Sequence, residues 1–267
     1  MINLLVTLNS NYIPPLTVML RSLMLADPAE EFTVFVAHSS LTASDIAAVE
    51  AAVDLSRTKI CPIEIDPQLM NDAPVLKRIT KETYYRLLAT DYLPQELDRV
   101  LYIDPDTLII KSIKDFYNID FGGCAIAGAT HVFGPVKLFN LVRLGLPASA
   151  KYLNAGILMM NLELMRKSYS VQDIFEFIRK NTKKLMLGDQ DVINALYGTR
   201  AIELSSVEYN CDEKICFYKQ LKLDDVRRRT VIIHYNGKHK PWKPKYKGIM
   251  KPIWDEYATQ KGQKNAV

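Results

Sequence analysis

Cysteine is scarce in this chain. Its four residues, Cys61, Cys124, Cys211 and Cys216, are scattered through 267 positions without the dense, even spacing of a secreted disulfide framework. Free thiols in the cytosol are the expectation. Cys211 and Cys216 flank "DEKI", a gap that fits no common zinc pattern, and no histidine lies nearby to complete four ligands. Long apolar runs are lacking as well: "MINLLVTLNSNY" has no basic n-region and is too short in apolar character for a signal peptide or a membrane span, so a cytoplasmic protein is expected. Neither sign of charge dominates. With 34 Lys and Arg against 30 Asp and Glu, the net charge of +4 is too mild to call for a nucleic-acid partner. Internal repeats and low-complexity tracts are absent, which excludes solenoid architectures.

What the chain does have is a hydrophobic content of 48%, enough to bury one large core, with short β-rich runs alternating with amphipathic helical patterns. The fold class is α/β, with a largely parallel sheet flanked by helices. Strands are expected at "INLLVTL", "FTVFVA", "KICPIEI", "RVLYID", "CAIAGA", "YLNAGILMMNL" and "TVIIHY". Helices are expected at "IPPLTVMLRSLMLA", whose prolines suit a first turn, at "LTASDIAAVEAAV", where Thr42 and Asp45 make a capping box, and at "TKETYYRLLATDYL", "SVQDIFEFIRKN" and "DQDVINALYG". From His234 onward eight lysines face only Asp255 and Glu256, interleaved with Trp242, Tyr246, Trp254 and Tyr257. The boundary therefore falls at 242: one domain over 1–242 and a basic, aromatic tail over 243–267, read as a loop with a short helix around 253–257.

The segment "RVLYIDPDTLII" ends one apolar run and starts another with Asp104 and Asp106 between them. A strand end delivers Asp104 to the carboxyl edge of the sheet, where open α/β folds bind ligands, and Pro105 turns the chain so that the two carboxylates can point the same way. Two readings stand. Either Asp104 caps a turn and Asp106 is solvated, or a divalent cation sits between two carboxylates that would otherwise repel. "IIHYNGKHKPW" puts His234 at another strand end, where an imidazole can complete an oxygen-rich site for Mn²⁺, and follows it with Gly237 and Lys240, able to neutralise phosphate. Taken singly, Arg86 reads equally as a surface ion-pair residue, Asn154 as a strand-end cap, "GDQD" as an ordinary helix start, and both tryptophans as packing.

Taken in order, "VTLNSNYIPP", "YYRLL", "VLYIDPDTL", "YLNAGILMMNL", "GDQDVINALY" and "HYNGKHKPW" resemble glycosyltransferase family 8 over nearly the whole chain, from about residue 2 to 257. Those are retaining enzymes of the GT-A, Rossmann-like fold, among them bacterial lipopolysaccharide galactosyltransferases and glucosyltransferases and, more distantly, glycogenin. The resemblance implies that Asp104, Asp106 and His234 hold Mn²⁺, with Mg²⁺ as the alternative ion, and that Asp104 and Pro105 also border the donor. It places Thr7, Asn9, Asn11 and Tyr12 in the nucleotide loop, Arg86 against the donor, and Gly237 with Lys240 at the diphosphate. Asn154 and Ala155 would line the sugar pocket, and Asp189 and Gln190 would hold sugar hydroxyls beside the anomeric carbon as the catalytic pair. The chain departs from the family at Asn9, where relatives often carry an acid, and at His131, where some carry an aspartate.

The implied activity is Mn²⁺-dependent, retaining transfer of galactose or glucose from a UDP-sugar to a glycan, a glycolipid or a protein. One rival is a sugar nucleotidyltransferase, which would want a glycine-rich basic loop where this chain has "LNSNYIPP". The other is an inactive binding relative. The basic tail raises a further expectation: peripheral contact with the inner face of a membrane carrying a lipid-linked acceptor.

Overall fold

The computed structural model describes residues 1–66, 68 and 81–259. Seven strands form one sheet. They are β1 (Ile2–Thr7), β2 (Phe32–His38), β3 (Thr58–Glu64), β4 (Arg99–Ile103), β6 (Ile126–Ala129), β7 (Ile157–Asn161) and β8 (Ala201–Leu204), in the order β3-β2-β1-β4-β7-β6-β8. Only β7 runs against its neighbours, pairing antiparallel with β4 and β6, so the expected mainly parallel sheet is present. Side chains alternate across it as the pleat requires. Leu5 and Tyr102 enter one core layer, while Leu4, Val6, Leu101 and Ile103 enter the other. The helix Ile13–Ala26 covers the second layer with Leu16, Met19, Leu20 and Leu23, all fully buried, and Pro14 and Pro15 occupy its first turn. Capping boxes at Thr42 with Asp45 and at Ser170 with Asp173 start the helices Ala43–Glu50 and Val171–Asn181.

Strand order reverses at β1. The pair β2 and β3 lies on one side of it and β4 on the other, which opens a crevice at the carboxyl ends of β1 and β4.

Four expectations are corrected by packing. The run "KETYYRLLATDYL" is not one helix but two, Lys81–Leu87 and Ala89–Tyr92, because the Tyr85 carbonyl accepts from the Leu88 N–H at 3.1 Å and the Tyr92 hydroxyl at 2.9 Å, diverting the ladder; Thr80 lies outside the described residues. "YLNAGILMMNL" becomes a strand only at Ile157, since the Asn154 side chain takes the Gly156 N–H at 3.1 Å and folds 154–156 into a turn. The strand in "CAIAGA" begins at Ile126. "TVIIHY" stays out of the main sheet: β9 (Ile232–His234) pairs antiparallel with β5 (Thr107–Ile109), setting His234 opposite Thr107.

The tail packs on this body. Trp242, Tyr246 and Tyr257 join buried Trp254 and Tyr235 in a third apolar cluster, with Trp254 5.2 Å from Trp242 and 5.3 Å from Tyr235 between ring centres. Its helix is longer than expected, Lys251–Thr259, and Lys261 and Lys264 lie beyond the described residues. These aromatics are packing residues, as the plainer reading of the tryptophans holds.

Candidate active site

The two aspartates sit in a turn, and the turn is what brings them together. The Asp104 carbonyl accepts from Thr107 Oγ1 at 2.9 Å, and the Asp106 carbonyl accepts from the Tyr235 N–H at 2.9 Å, locking the bend around Pro105 to β9. Asp104, Asp106 and His234 thereby converge, each with one potential ligand atom within 4.8 Å of the others. His234 Nε2 lies 3.7 Å from Asp104 Oδ2 and 3.4 Å from Asp106 Oδ1. Lys240 donates to Asp106 at 2.5 Å and to the Tyr235 carbonyl at 2.8 Å. Burial pushes the Asp106 carboxyl up, but His234 and Lys240 outweigh it and hold the group at about 2.

Hydrogen-bond polarity fixes which nitrogen of His234 faces the carboxylates. The Gly156 N–H can only donate, so Asn154 Oδ1 accepts there and also accepts from Asn210 Nδ2 at 3.0 Å. Asn210 is fully buried and turns its own Oδ1 to His234 Nδ1 at 2.9 Å, which must carry the proton. Nε2 is therefore the nitrogen that faces Asp104 and Asp106, and a cation bound there would take its lone pair in place of a proton. The chain of bonds continues the other way. Asn154 Nδ2 donates to Gln190 Oε1 at 3.0 Å, Gln190 Nε2 to the Tyr152 hydroxyl at 3.3 Å, and that hydroxyl to Asp191 at 2.6 Å, where Arg143 clamps both carboxylate oxygens at 2.8 Å.

Arg86 is no surface residue. Its guanidinium lies 3.1 Å from Asp104 and 3.1 Å from Asp189, donates to the Ala155 carbonyl at 2.9 Å and stacks 4.4 Å from the Tyr102 ring. Tyr102 hydrogen-bonds Asp104 at 2.5 Å and Thr7 at 3.1 Å, linking the ends of β1 and β4. Asp189 begins the helix Asp189–Tyr197, and burial pushes its carboxyl up to about 6 against the opposing charge of Arg86.

Two cavities meet at Asp104, Arg86 and Thr83, which line both. The smaller, about 270 Å³, adds Thr7, Asn9, Tyr12, Pro105 and Asp106. The larger, about 470 Å³, adds His131, Asn154, Ala155, Asp189, Gln190 and Gly237, together with Lys214, Asn236 and Lys238. Of the candidate site residues named from sequence, Asn11, His234 and Lys240 line neither: Asn11 gives its backbone N–H to Asn9 Oδ1 at 3.1 Å, His234 is buried with Nδ1 on Asn210, and Lys240 is engaged by Asp106. His131 enters the larger cavity with its imidazole pushed down by burial to about 4, hence neutral near pH 7. Sequence reasoning missed Tyr102, Asn210, Gly156 and Lys214. Only Gly156 carried a local signal, as the small residue two places after Asn154.

The sheet order and the acidic turn at its switch point define a GT-A fold. The galactosyltransferase LgtC, solved with donor and acceptor sugar analogs, superposes with a TM-score of 0.83 over 96% of this chain and 95% of its own at 23% identity. Residues 3–245 match the profile of Glycosyl transferase family 8, and the chain belongs to that family of glycosyltransferases. Among curated relatives, the lipopolysaccharide 1,3-galactosyltransferase of Salmonella typhimurium is 26% identical over 246 residues, 90% of this chain and 72% of that protein. General stress protein A of Bacillus subtilis is 27% identical over 210 residues, 73% of this chain and 70% of that protein.

Proposed function

We propose that this glycosyltransferase moves a hexose, galactose or glucose, from a UDP-sugar to a glycan, glycolipid or protein acceptor, with Mn²⁺ in preference to Mg²⁺ and with retention at the anomeric carbon. Residues 1–242 carry the chemistry and the tail packs against them. The convergence of Asp104, Asp106 and His234 Nε2, with Asp104 at the junction of two cavities, carries the reading. These residues fit a cation: two hard oxygen donors and one imidazole suit Mn²⁺, and Gly156 leaves open a space that a Cβ would fill at 2.4 Å from His234 Cε1 and 2.5 Å from Asp104 Oδ2. Bound there, the ion would supply positive charge to the departing diphosphate.

The chain's own groups divide the remaining work. Thr7, Asn9 and Tyr12 in the smaller cavity take the nucleoside, with Asn11 holding Asn9 in place. Gly237 and Lys240 approach the diphosphate, Lys240 exchanging its Asp106 partner for phosphate oxygen. Asn154, Ala155, Asp189 and Gln190 border the sugar, and Arg86 keeps Asp104 and Asp189 in register.

Gln190 is poorly disposed as a nucleophile. Its carbonyl oxygen already accepts from Asn154 Nδ2 at 3.0 Å and the Ala155 N–H at 3.4 Å, and an uncharged amide attacks weakly. This supports attack from the leaving-group face. The acceptor oxygen bonds the anomeric carbon, the carbon–oxygen bond to phosphate breaks with its electron pair going to the diphosphate, and the hydroxyl proton passes to a diphosphate oxygen.

The test is hydrolysis of UDP-galactose and UDP-glucose with Mn²⁺, with Mg²⁺ and with chelator. Mn²⁺-dependent release of UDP from one of them is expected. Formation of UTP and sugar 1-phosphate when pyrophosphate is added points to a nucleotidyltransferase, and no turnover of any sugar nucleotide to an inactive relative; either outcome overturns the proposal.

A further inference from the structure

Among the described residues no helix is long and apolar enough to cross a membrane, and the tail aromatics are spent in packing. A different part of the surface is apolar. Leu138, Phe139 and Val142 on the helix Gly134–Leu144, Leu187 in the loop 182–188, and Phe217 and Tyr218 on the helix Glu213–Lys219 are between 41% and 79% exposed. Single exposed apolar residues are ordinary; six of this size on three contiguous segments are not.

Contacts join the three segments into one face. Tyr218 meets Phe133, at the start of the first helix, with ring centres 6.0 Å apart, and Lys219 lies 5.7 Å over the same ring. At the other end of that helix Arg143 bonds the Lys184 carbonyl of the loop. Leu187 and Lys214 both line the larger cavity, so the face forms the lip of the pocket assigned above to the sugar.

Its charge is of one sign. The three segments "GPVKLFNLVRL", "TKKLMLG" and "EKICFYK" hold six cations and a single acid, Glu213. Glu213 is turned away to the Tyr246 hydroxyl and the N–H groups of Ile249 and Met250. Lys137 pairs with Glu203 and Arg143 with Asp191; Lys183, Lys184, Lys214 and Lys219 have no carboxylate partner among the described residues and are exposed.

We infer that this lip docks on an anionic lipid surface, the aromatic and aliphatic side chains entering the headgroup layer and the lysines pairing with lipid phosphates. Charge decides between occupants. A second copy in two-fold contact would set lysine against lysine, whereas apolar residues ringed by cations match an anionic bilayer. The larger cavity then opens toward the surface on which a lipid-linked acceptor would present its terminal sugar. This last step rests on the transfer reaction proposed above; the docking itself does not.

The experiment is co-sedimentation of the full chain with vesicles of phosphatidylglycerol and phosphatidylcholine, and with phosphatidylcholine alone. At least tenfold tighter partition to the anionic vesicles at low salt is expected. The exposed triple variant Phe139→Ser, Phe217→Ser, Tyr218→Ser should lose at least tenfold of it, and Lys183→Gln with Lys184→Gln should weaken it by about tenfold or more. Neutralising Lys243, Lys245 and Lys247 in the tail should leave most of the binding. Metal-dependent donor hydrolysis, measured on the same samples, should be unchanged in the triple variant, so a failed reaction and a failed docking are read separately. The inference is overturned by a wild type indifferent to lipid charge, by a triple variant that sediments like wild type, or by a dimer in ultracentrifugation that the triple variant dissolves without any vesicle binding.

Discussion

Replacing Gly156 by alanine adds one methyl group at the most crowded point of the site. Gly156 has no positive φ, so the backbone tolerates the change and the effect is steric. The new Cβ would sit 2.4 Å from His234 Cε1 and 2.5 Å from Asp104 Oδ2, so ring and carboxylate must each retreat by roughly 0.5–1 Å to reach ordinary contact. Neither is free to do so. His234 is buried and held by Asn210 at 2.9 Å, and Asp104 is held by Tyr102 at 2.5 Å and Arg86 at 3.1 Å. Overpacking of this kind costs about 1–3 kcal/mol of stability, roughly 2–10 °C in Tm for a chain of this size. Ligand displacement beyond about 0.5 Å exceeds what a metal site accepts, so Mn²⁺ affinity in the presence of UDP should fall by about ten- to a hundredfold or more. Isothermal titration of Mn²⁺ into the UDP-saturated protein measures the second effect, and thermal unfolding of the metal-free protein the first. Wild-type Mn²⁺ affinity in Gly156→Ala would refute the placement of the cation between these groups.

Two further predictions follow the hydrogen bonds. Asn210→Leu removes the acceptor of His234 Nδ1–H and a donor to Asn154, each a buried partner worth about 1–3 kcal/mol when left unmet; long-range ¹H–¹⁵N spectra of the metal-free variant should show His234 no longer confined to the Nδ1–H tautomer, and a spectrum identical to wild type would remove Asn210 from the account. Asp189 titrates near 6 in the folded protein against an ordinary 3.8. The folded state therefore binds its proton more tightly, and this group adds stability as pH falls from 7 toward 4, by about 2–3 kcal/mol. Urea unfolding at both pH values should show wild type gaining on Asp189→Asn by that amount at acid pH; parallel behaviour of the two proteins would contradict the burial argument.

Much of the fold was legible because it rests on local periodicity. Leu16, Met19, Leu20 and Leu23 fall on one helical face, Thr42 and Asp45 form their cap, and the first four strand runs lie close to their expected bounds, whereas β8 was not expected. Asp104, Asp106 and His234 could be picked out because strand ends deliver side chains to the sheet edge. What could not be read depends on partners distant in sequence. Asn210 acquires its role from His234, 24 residues away, and from Asn154, 56 residues away; nothing in "EYNCDEK" announces either. The β5 and β9 ribbon joins three residues to three across more than a hundred positions. The break at Leu88 comes from a tyrosine hydroxyl competing for a carbonyl, an event that propensity does not encode. Arg86 looked like a surface cation until its two carboxylate partners, one at the end of β4 and one at a helix start, were brought to it by the fold.

The central claim is that UDP and a divalent cation complete one site between Asp104, Asp106 and His234. Calorimetric UDP binding with Mn²⁺ and with chelator, on wild type and on Asp106→Asn, tests it most directly. The carboxamide keeps the shape of the side chain and removes a charge and a hard ligand. Wild-type affinity for UDP should rise by about a hundredfold or more with Mn²⁺, roughly 3 kcal/mol, and the variant should lose most of that gain. Equal UDP affinity with and without the ion in wild type, or an undiminished Mn²⁺ effect in Asp106→Asn, would contradict the account and leave the two aspartates as turn residues only.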